Sequence, residues 1–151
     1  MSERTILFLN GPNLNMLGVR EPHLYGHTTL ADIQKMVEAR GAELGLKIDF
    51  RQSNYEGDLI TWIHETRDKV AGIVINPAAF THTSIGLFDA LKIATAPFIE
   101  LHLRVKLDAS EAFRHHSYIR PAASGLIAGL GANGYVLAVD AMKMILDSPA
   151  P

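Results

Sequence analysis

The sequence predicts an α/β protein in which a doubly wound, five-stranded parallel sheet is covered by helices on both faces. Short, nearly continuous apolar segments recur along the 151 residues, and such segments are typical of strands that are buried on both faces. Most of them end in a polar or glycine-containing turn. Segments with apolar residues at helical spacing separate them, and this alternation favours parallel pairing of the strands.

The apolar runs define the predicted strands. The run at 6–10 ends in Asn-Gly-Pro, the run at 46–52 alternates with Ile48 and Phe50 on one face, and the run at 70–76 precedes a proline. The last predicted strand is bounded by glycines. The predicted strands are 6–10, 46–52, 70–76, 97–103 and 124–128.

Capping residues and the 3.6-residue spacing of apolar side chains predict the helices. Thr29 can cap a helix with Leu30, Ile33 and Val37 on one side, and Ser84 can cap another. The predicted helices are about 30–44, about 57–68, a third that begins at 85, and 135–146. Five strands and these helices match the size of a flavodoxin-like fold with strand order 2-1-3-4-5.

The composition excludes several classes of function. The length suits one domain, over residues 1–151. Because the chain has no cysteine, thiol catalysis, a disulfide scaffold and zinc ribbons are excluded. The net charge of −2 predicts no binding of nucleic acid. Seven histidines are the main groups that titrate near neutral pH.

We expect a cytoplasmic protein without a membrane anchor. Only residues 1–5 precede the first apolar run, and that run, at 6–9, is shorter than the apolar part of a secretion signal. No apolar stretch approaches the ~18–20 residues that a membrane span requires.

Polar side chains follow the predicted strands where the strands end. Asn10 ends the first strand and Asn13 follows it, Asn76 ends the third, and Glu100 and His102 lie in the fourth. Ligands of open α/β sheets bind beyond the carboxyl ends of the strands. Any one of these residues is equally explained as a turn or cap residue, but their occurrence at several ends together predicts a binding site.

Two other motifs favour structural explanations. The segment 129–134 reads Gly-x-Gly-x-x-Gly, but no further strand with an acidic residue about 20 positions on follows it, as a dinucleotide site requires. We therefore interpret these glycines as turn and packing positions. His115 and His116 are adjacent, and adjacent helical residues do not share a face, which favours the surface or an interface over a metal site.

The loop after the first strand is longer than the usual 2–6 residues, and we expect its segment at about 18–27 to be a lid. It carries Arg20 and Tyr25. A guanidinium beside a tyrosine favours the phenolate, so the two residues are candidates for a base that assembles when the loop closes. A tyrosine packed on the surface is the alternative at this point.

The segment 10–26, which reads N-G-P-N-L-N-x-L-G-x-R-E-P-x-x-Y-G, resembles the opening signature of type II 3-dehydroquinate dehydratases. The resemblance covers nearly the whole chain. It implies a flavodoxin-like subunit, a dodecamer built as a tetramer of trimers, and neither cofactor nor metal. The further matching segments follow in order at 52–57, 75–84, 98–102, 113–117 and 125–135.

The resemblance also implies catalytic roles. In that family, water leaves 3-dehydroquinate by anti elimination through an enolate, which gives 3-dehydroshikimate. Tyr25 resembles the base, and Arg20 the lid residue that stabilises the tyrosinate. Asn13 would hold a water or a donor against the enolate oxygen. His102 would protonate the departing hydroxyl, with Glu100 setting its tautomer and charge.

Further residues resemble the substrate-binding set of the family. Asn76 and the backbone amides of Leu103 and Arg104 would hold the substrate carboxylate, and His82 and Arg114 the ring hydroxyls. The other five histidines would be scaffold or surface residues. In the family's oligomer, the counterpart of Asp89 reaches the site of a neighbouring subunit.

The chain departs from the family pattern after His102. The family usually continues with Ser-Asn two residues later and then has a second arginine, which helps to lower the pKa of the tyrosine. Here Arg104 stands at the first of these positions, and Ser110 aligns with the second arginine. We expect weaker substrate binding or a less acidic Tyr25, unless Arg104 or Lys106 supplies the missing charge. Milder departures include an alanine at 78 where the family has glycine.

Two hypotheses follow from the sequence. The first is an active dehydratase of the shikimate or quinate route. The second is a non-catalytic or altered-specificity relative that binds a related polyol carboxylic acid. The presence of the charged and titratable residues of the motif favours the first. A nucleotide-binding module, which depends on the glycine motif at 129–134, ranks below both.

Overall fold

The computed structural model describes residues 3–19, 23, 26–105 and 108–148. One sheet of parallel strands forms its centre, with the strand order β2-β1-β3-β4-β5. The predicted doubly wound fold is therefore confirmed. The strands are β1 Arg4–Asn10, β2 Leu46–Gln52, β3 Gly72–Asn76, β4 Phe98–His102 and β5 Gly125–Ala128.

Helices lie on both faces of the sheet. The first begins where the sequence predicts, because Thr29 and Asp32 form a capping box in which each side chain accepts a hydrogen bond from the other's backbone N–H. The Oγ of Ser84 accepts a hydrogen bond of 2.9 Å from the N–H of Leu87 and caps the N-terminus of the third helix. The helices are α1 Leu30–Glu43, α2 Glu56–Glu65, α3 Ile85–Ile93 and α4 Ala132–Asp147.

The two faces of the sheet carry separate apolar clusters. Phe8 and Val74 belong to the cluster that α1 and α4 cover. Leu7 and Ile75, whose side chains point to the opposite face, belong to the cluster that α2 and α3 cover. Since both faces of the central strands are buried, their sequences are apolar runs rather than alternating patterns.

The glycine motif and the element boundaries refine the sequence predictions. Gly129 and Gly131 have φ of 92° and 60°, and a side chain at Gly134 would meet Leu101 at 3.3 Å. These glycines therefore have the conformations that a turn and close packing require. The second helix ends at Glu65 rather than near 68, and Asp68 has a left-handed φ of 67°, which no helix continues through.

The described ranges lack two kinds of feature. None of the helices there is long and apolar enough to cross a membrane. The same residues contain no group of three or more His, Asp or Glu side chains that could hold a metal ion.

Gly11 joins β1 to the loop that carries Asn13, and we expect it to tolerate no side chain. Its N–H donates to the carbonyl of Asn76 at 2.8 Å, and a Cβ would lie 2.4 Å from the carbonyl oxygen of Pro77. Because that neighbour is backbone, Gly11→Ala must move a strand end. We expect the free energy of unfolding in urea to fall by about 1–3 kcal/mol.

Gly57→Ala is the matched control for this prediction. A Cβ at Gly57, in the first turn of α2, meets nothing within 4 Å, so its free energy of unfolding should stay the same or rise. If the Gly11 variant were as stable as the Gly57 variant, the close approach of β1 and Pro77 would be wrong.

Candidate active site

A cavity of about 210 Å³ opens beyond the carboxyl ends of β1, β3 and β4. The loop after β1, the end of β3 and the end of β4 form three of its walls, and Arg114 adds a side chain from a 3-10 turn. This is the edge at which an open α/β sheet binds ligands. The lining residues are Pro12, Asn13, Leu14, Met16, Leu17, Asn76, Ala78, Ala79, His82, His102, Leu103, Arg104 and Arg114.

The charges of the lining suit an anion. Arg104 and Arg114 carry positive charge, and His82 and His102 add two imidazoles. Within the described residues, the lining contains no carboxylate. Two guanidinium groups in one concave site favour a carboxylate or a similar anion over a neutral ligand.

Glu100 and His102 form a tight pair at the cavity wall. Both lie on β4, two residues apart, so their side chains are on the same face of the strand. The Nε2 of His102 lies 2.5 Å from the Oε2 of Glu100, which has no exposed surface. The imidazole itself lines the cavity. The carboxylate thus orients a histidine that is partly open to a ligand.

Four side chains hold the carboxylate of Glu100. Arg120 donates to both oxygens, from Nη2 at 2.9 Å and from Nε at 3.3 Å. The hydroxyls of Thr81 and Ser117 lie at 3.2 and 3.1 Å, and His102 completes the set. Burial alone raises the pKa of Glu100, but the hydrogen bonds from His102 and Arg120 outweigh it and bring the pKa down to about 2. Glu100 is therefore an anion at neutral pH.

Asn76 is held by a buried chain of hydrogen bonds. Its Nδ2 donates to the hydroxyl of Tyr135 at 2.9 Å, and that hydroxyl donates to the Oδ1 of Asn10 at 2.8 Å. Burial raises the pKa of Tyr135, so this phenol stays a neutral donor. The Oδ1 of Asn76 accepts from the N–H of Ala78 at 3.1 Å, and Ala78 has a left-handed φ of 50°, a conformation that glycine adopts without strain.

His82 and Arg114 both line the cavity. The Nδ1 of His82 lies 2.7 Å from the carbonyl oxygen of His116. Since a carbonyl only accepts, Nδ1 carries the proton, and Nε2 is the nitrogen that remains for a ligand. The Nε of Arg114 donates to Glu111 at 2.5 Å, and its guanidinium lies over the ring of Phe113, 5.1 Å from the centroid.

The loop after β1 brings Asn13 to the cavity. Asn13 has a left-handed φ of 70°, and its N–H donates to the Oδ1 of Asn54 at 2.9 Å. Gln52 donates to the same Oδ1 at 3.1 Å and to the carbonyl of Gly11 at 3.2 Å. The end of β2 therefore fixes the loop, although it contributes no lining residue within the described ranges.

Leu103 and Arg104 follow β4 directly and line the same cavity. Arg104 also lines an adjacent cavity of about 70 Å³, against Leu17 and Gly131. Ser110, which replaces the family's second arginine, is exposed in a turn, where its N–H and Oγ donate to Asp108. Among the described residues of the altered segment, residues 104–112, Arg104 is thus the one that brings positive charge to the cavity.

The described lining of the cavity does not include every predicted site residue. Arg20 and Tyr25 lie outside the described residues, as does Lys106. Glu100 lies behind His102 rather than in the lining. Asp89 is exposed on α3 and is not among the lining residues, so its role at a neighbouring subunit's site stays a prediction.

The sequence motifs did not predict two groups of supporting residues. Arg120, with the hydroxyls of Thr81 and Ser117, holds Glu100, and Tyr135 links Asn76 to Asn10. Thr81 and Ser117 stood in matched segments without an assigned role. Arg120 begins a short 3-10 turn, Arg120–Ala122, and has no local pattern that indicates its carboxylate partner.

Comparisons with known proteins agree on one family. The family model described as Dehydroquinase class II matches residues 4–143. A 3-dehydroquinate dehydratase of Variovorax paradoxus (strain S110) is 56% identical over an alignment of 144 residues, and the match covers 92% of this chain and 98% of that protein.

Two solved structures have the same fold. The type II dehydroquinase from Propionibacterium acnes has a TM-score of 0.87 and 45% identity, over 95% of this chain and 98% of that one. The type II dehydroquinase from Butyrivibrio crossotus DSM 2876 has a TM-score of 0.88 and 38% identity, over 94% and 99%. On the sequence match and on the shared fold, the chain belongs to the class II dehydroquinase family.

Proposed function

We propose that this chain is an enzyme, a hydro-lyase that converts 3-dehydroquinate into 3-dehydroshikimate and water. The observation that carries the proposal is the pair of Glu100 and His102, 2.5 Å apart, at the wall of a cavity that suits an anion. Membership of the class II dehydroquinase family supplies the substrate. The carboxylate of 3-dehydroquinate matches the positive lining, and its hydroxyls match the imidazole and amide groups.

The first step is removal of a proton from the carbon next to the ketone. Tyr25, as the phenolate, is the proposed base, and Arg20 stabilises that phenolate. The electron pair of the broken C–H bond moves onto the ketone oxygen and forms an enolate. Asn13 is the proposed holder of a water or donor against that oxygen, where a preorganised hydrogen bond stabilises the developing charge.

The second step expels the hydroxyl as water. The enolate collapses, the C–O bond of the β-hydroxyl breaks, and His102 gives the oxygen a proton. Because the Nε2 of His102 bonds Glu100, Nδ1 is the nitrogen that we assign to proton transfer. Glu100, held as an anion by its hydrogen bonds from His102 and Arg120, orients the ring and stabilises its protonated form.

The remaining lining residues bind the substrate. Asn76 and the backbone amides of Leu103 and Arg104 are the proposed carboxylate site, since they lie at adjacent ends of β3 and β4. The Nε2 of His82 and the guanidinium of Arg114 are the proposed partners of the ring hydroxyls. No cofactor or metal enters either step.

Arg104 is the proposed substitute for the arginine that the altered segment lacks. We expect Arg104→Ala to lower kcat/KM for 3-dehydroquinate about tenfold, the loss of one charge-assisted hydrogen bond. Because a positive charge favours the phenolate, the limb along which kcat/KM rises with pH should also move to higher pH. The pH profiles of the variant and the unaltered enzyme measure both effects.

Arg4→Ala is the control for this variant. Arg4 lies away from the cavity, and its Nη2 is 2.9 Å from the Oδ1 of Asp147 in an exposed ion pair. Its kinetics should match those of the unaltered enzyme. Unchanged kinetics in Arg104→Ala as well would mean that Arg104 is only a surface replacement.

The test of the function is direct. The product is a conjugated enone, so its formation from 3-dehydroquinate is followed by ultraviolet absorbance between pH 6 and pH 10. We expect catalytic turnover. Binding of 3-dehydroquinate in a calorimeter without turnover at any pH would instead establish the non-catalytic, altered-specificity alternative.

Assembly and location are separate proposals. We propose a dodecamer, a tetramer of trimers, in which Asp89 contributes to a neighbouring subunit's site, and a cytoplasmic location. Light scattering after size-exclusion chromatography should give the mass of twelve subunits, and cell fractionation tests the location. The growth conditions under which loss of the enzyme impairs the cell would distinguish the shikimate route from the quinate route.

A further inference from the structure

We propose that Arg120 is a positioning residue of this site, which balances the buried charge of Glu100 and so sets the pH range in which His102 delivers its proton. The inference rests on the proposed function. Arg120 does not touch the cavity, and its effect reaches the reaction through Glu100.

The guanidinium of Arg120 forms a bidentate fork, with one nitrogen donating a hydrogen bond to each carboxylate oxygen of Glu100. Nη2 of Arg120 lies 2.9 Å from Oε2 of Glu100, and Nε lies 3.3 Å from Oε1. Oε2 is also the atom that bonds His102. Arg120 and His102 therefore share one carboxylate oxygen, so a change in the charge of either residue alters the hydrogen bond of the other.

The backbone holds the guanidinium in place. Ile119, directly before Arg120, is fully buried and anchors the turn in the α2 and α3 cluster. The N–H of Arg120 donates to the Oγ of Ser117 at 3.3 Å, and the same oxygen donates to Glu100 at 3.1 Å. The turn is thus tied to the carboxylate by its backbone as well as by its side chain.

The ion pair of Arg120 and Glu100 is energetically important because the carboxylate is buried. The side chain of Glu100 is 0% exposed and that of Arg120 is 47% exposed. An exposed ion pair contributes little, but a buried anion that loses a partner is costly. Within the part of the chain that the structure describes, His102 is the charged or titratable group besides Arg120 that contacts Glu100, and Thr81 and Ser117 supply neutral hydroxyls.

The consequence for proton transfer follows from charge balance. While Arg120 is present, Glu100 keeps a positive partner whether or not His102 is protonated. When that charge is removed, the pair of Glu100 and His102 holds its proton to higher pH. Among the described residues, the other charged or titratable groups that share the cavity with His102 are His82, Arg104 and Arg114, and they are the same in the variant and in the unaltered enzyme.

Two variants separate charge from hydrogen bonding. Arg120→Gln removes the charge and keeps an amide donor, whereas Arg120→Lys keeps the charge without the fork. We expect the limb along which kcat falls at high pH to move up by about one unit in the Gln variant. We expect kcat at pH 7 to fall about tenfold there, because a more firmly held proton is transferred less readily. In the Lys variant, kcat should fall at the same high pH as in the unaltered enzyme.

Arg67→Gln is the matched control. Its side chain is also 47% exposed and pairs with a carboxylate, but that partner, Asp68, is 66% exposed. Its kcat and pH profile should be those of the unaltered enzyme. Superimposable profiles for Arg120→Gln and the unaltered enzyme would overturn the proposal, as would a limb in Arg120→Lys shifted as far as in the Gln variant.

A titration by NMR keeps the test independent of turnover. The ring protons of His102, followed from pH 5 to pH 10 without substrate, should titrate at higher pH in Arg120→Gln than in Arg120→Lys, and equal titrations would overturn the proposal. If the unaltered protein did not dehydrate 3-dehydroquinate, the proposed function would fail, while this titration would still decide whether Arg120 controls His102.

Discussion

His102→Ala is expected to lower kcat for 3-dehydroquinate by about 10²–10⁴-fold, the range that a positioned general acid contributes. The imidazole lines the cavity and is oriented by a fully buried carboxylate at 2.5 Å. Without it, the departing oxygen must leave as hydroxide or take its proton from water. KM should change only a few-fold, because the proposed partner of His102 is the leaving group rather than the substrate carboxylate.

The measurement is steady-state formation of the enone at saturating substrate. His64→Ala is the control, since His64 is exposed on α2 and its removal should leave kcat unchanged. A kcat within threefold of the unaltered enzyme would assign the leaving group's proton to another residue and remove His102 from the mechanism.

Glu100→Gln is expected to affect both stability and activity. The pKa of Glu100 lies at about 2 in the folded chain and at 4.5 without interactions. A carboxyl whose pKa is lower in the folded state adds stability above the unfolded value, and that stability is lost as the pH falls through the folded value. At pH 7 the variant should lose on the order of 3 kcal/mol of unfolding free energy.

The difference from the unaltered enzyme should shrink between pH 4.5 and pH 2 and largely vanish below that range. Urea unfolding at fixed protein concentration over this range measures it. Glu43→Gln, which breaks an exposed pair with Arg40 at 2.6 Å, should cost no more than about 1 kcal/mol. A pH-independent loss in Glu100→Gln would mean that its effect is steric rather than electrostatic.

The same variant should lower kcat by about 10²–10⁴-fold. An amide can present the wrong hydrogen-bonding group to His102 and select the wrong tautomer, as known for the aspartate of catalytic triads. Activity equal to that of the unaltered enzyme would show that the position of His102 does not depend on the charge of Glu100.

The fold could be predicted from the sequence because its signals are local. Strands buried on both faces are apolar runs, and β2 has the predicted bounds, 46–52. Thr29 and Ser84 cap helices where predicted, since a cap involves residues only three positions apart. Boundaries without such a cap, as at the end of α2, shifted by a few residues.

The cavity was predicted in part for a topological reason. Asn76 and His102 end neighbouring parallel strands, and the topology places such ends at one edge. The contact of Arg120 with Glu100 spans 20 residues and depends on how the 3-10 turn packs. Tyr135 stands at a helical position that reads as core, and only its partners reveal the hydrogen-bonded chain to Asn10. Local patterns carry no record of such long-range pairs.

In the proposed mechanism a base and an acid act on opposite faces of the substrate, so that water leaves by anti elimination. The most direct test uses 3-dehydroquinate in which deuterium replaces one of the two hydrogens on a single carbon. That carbon lies between the ketone and the carbon that carries the departing hydroxyl. With deuterium anti to the departing hydroxyl, the 3-dehydroshikimate formed should have lost the label, as measured by mass spectrometry. Product that retains this label would contradict the mechanism.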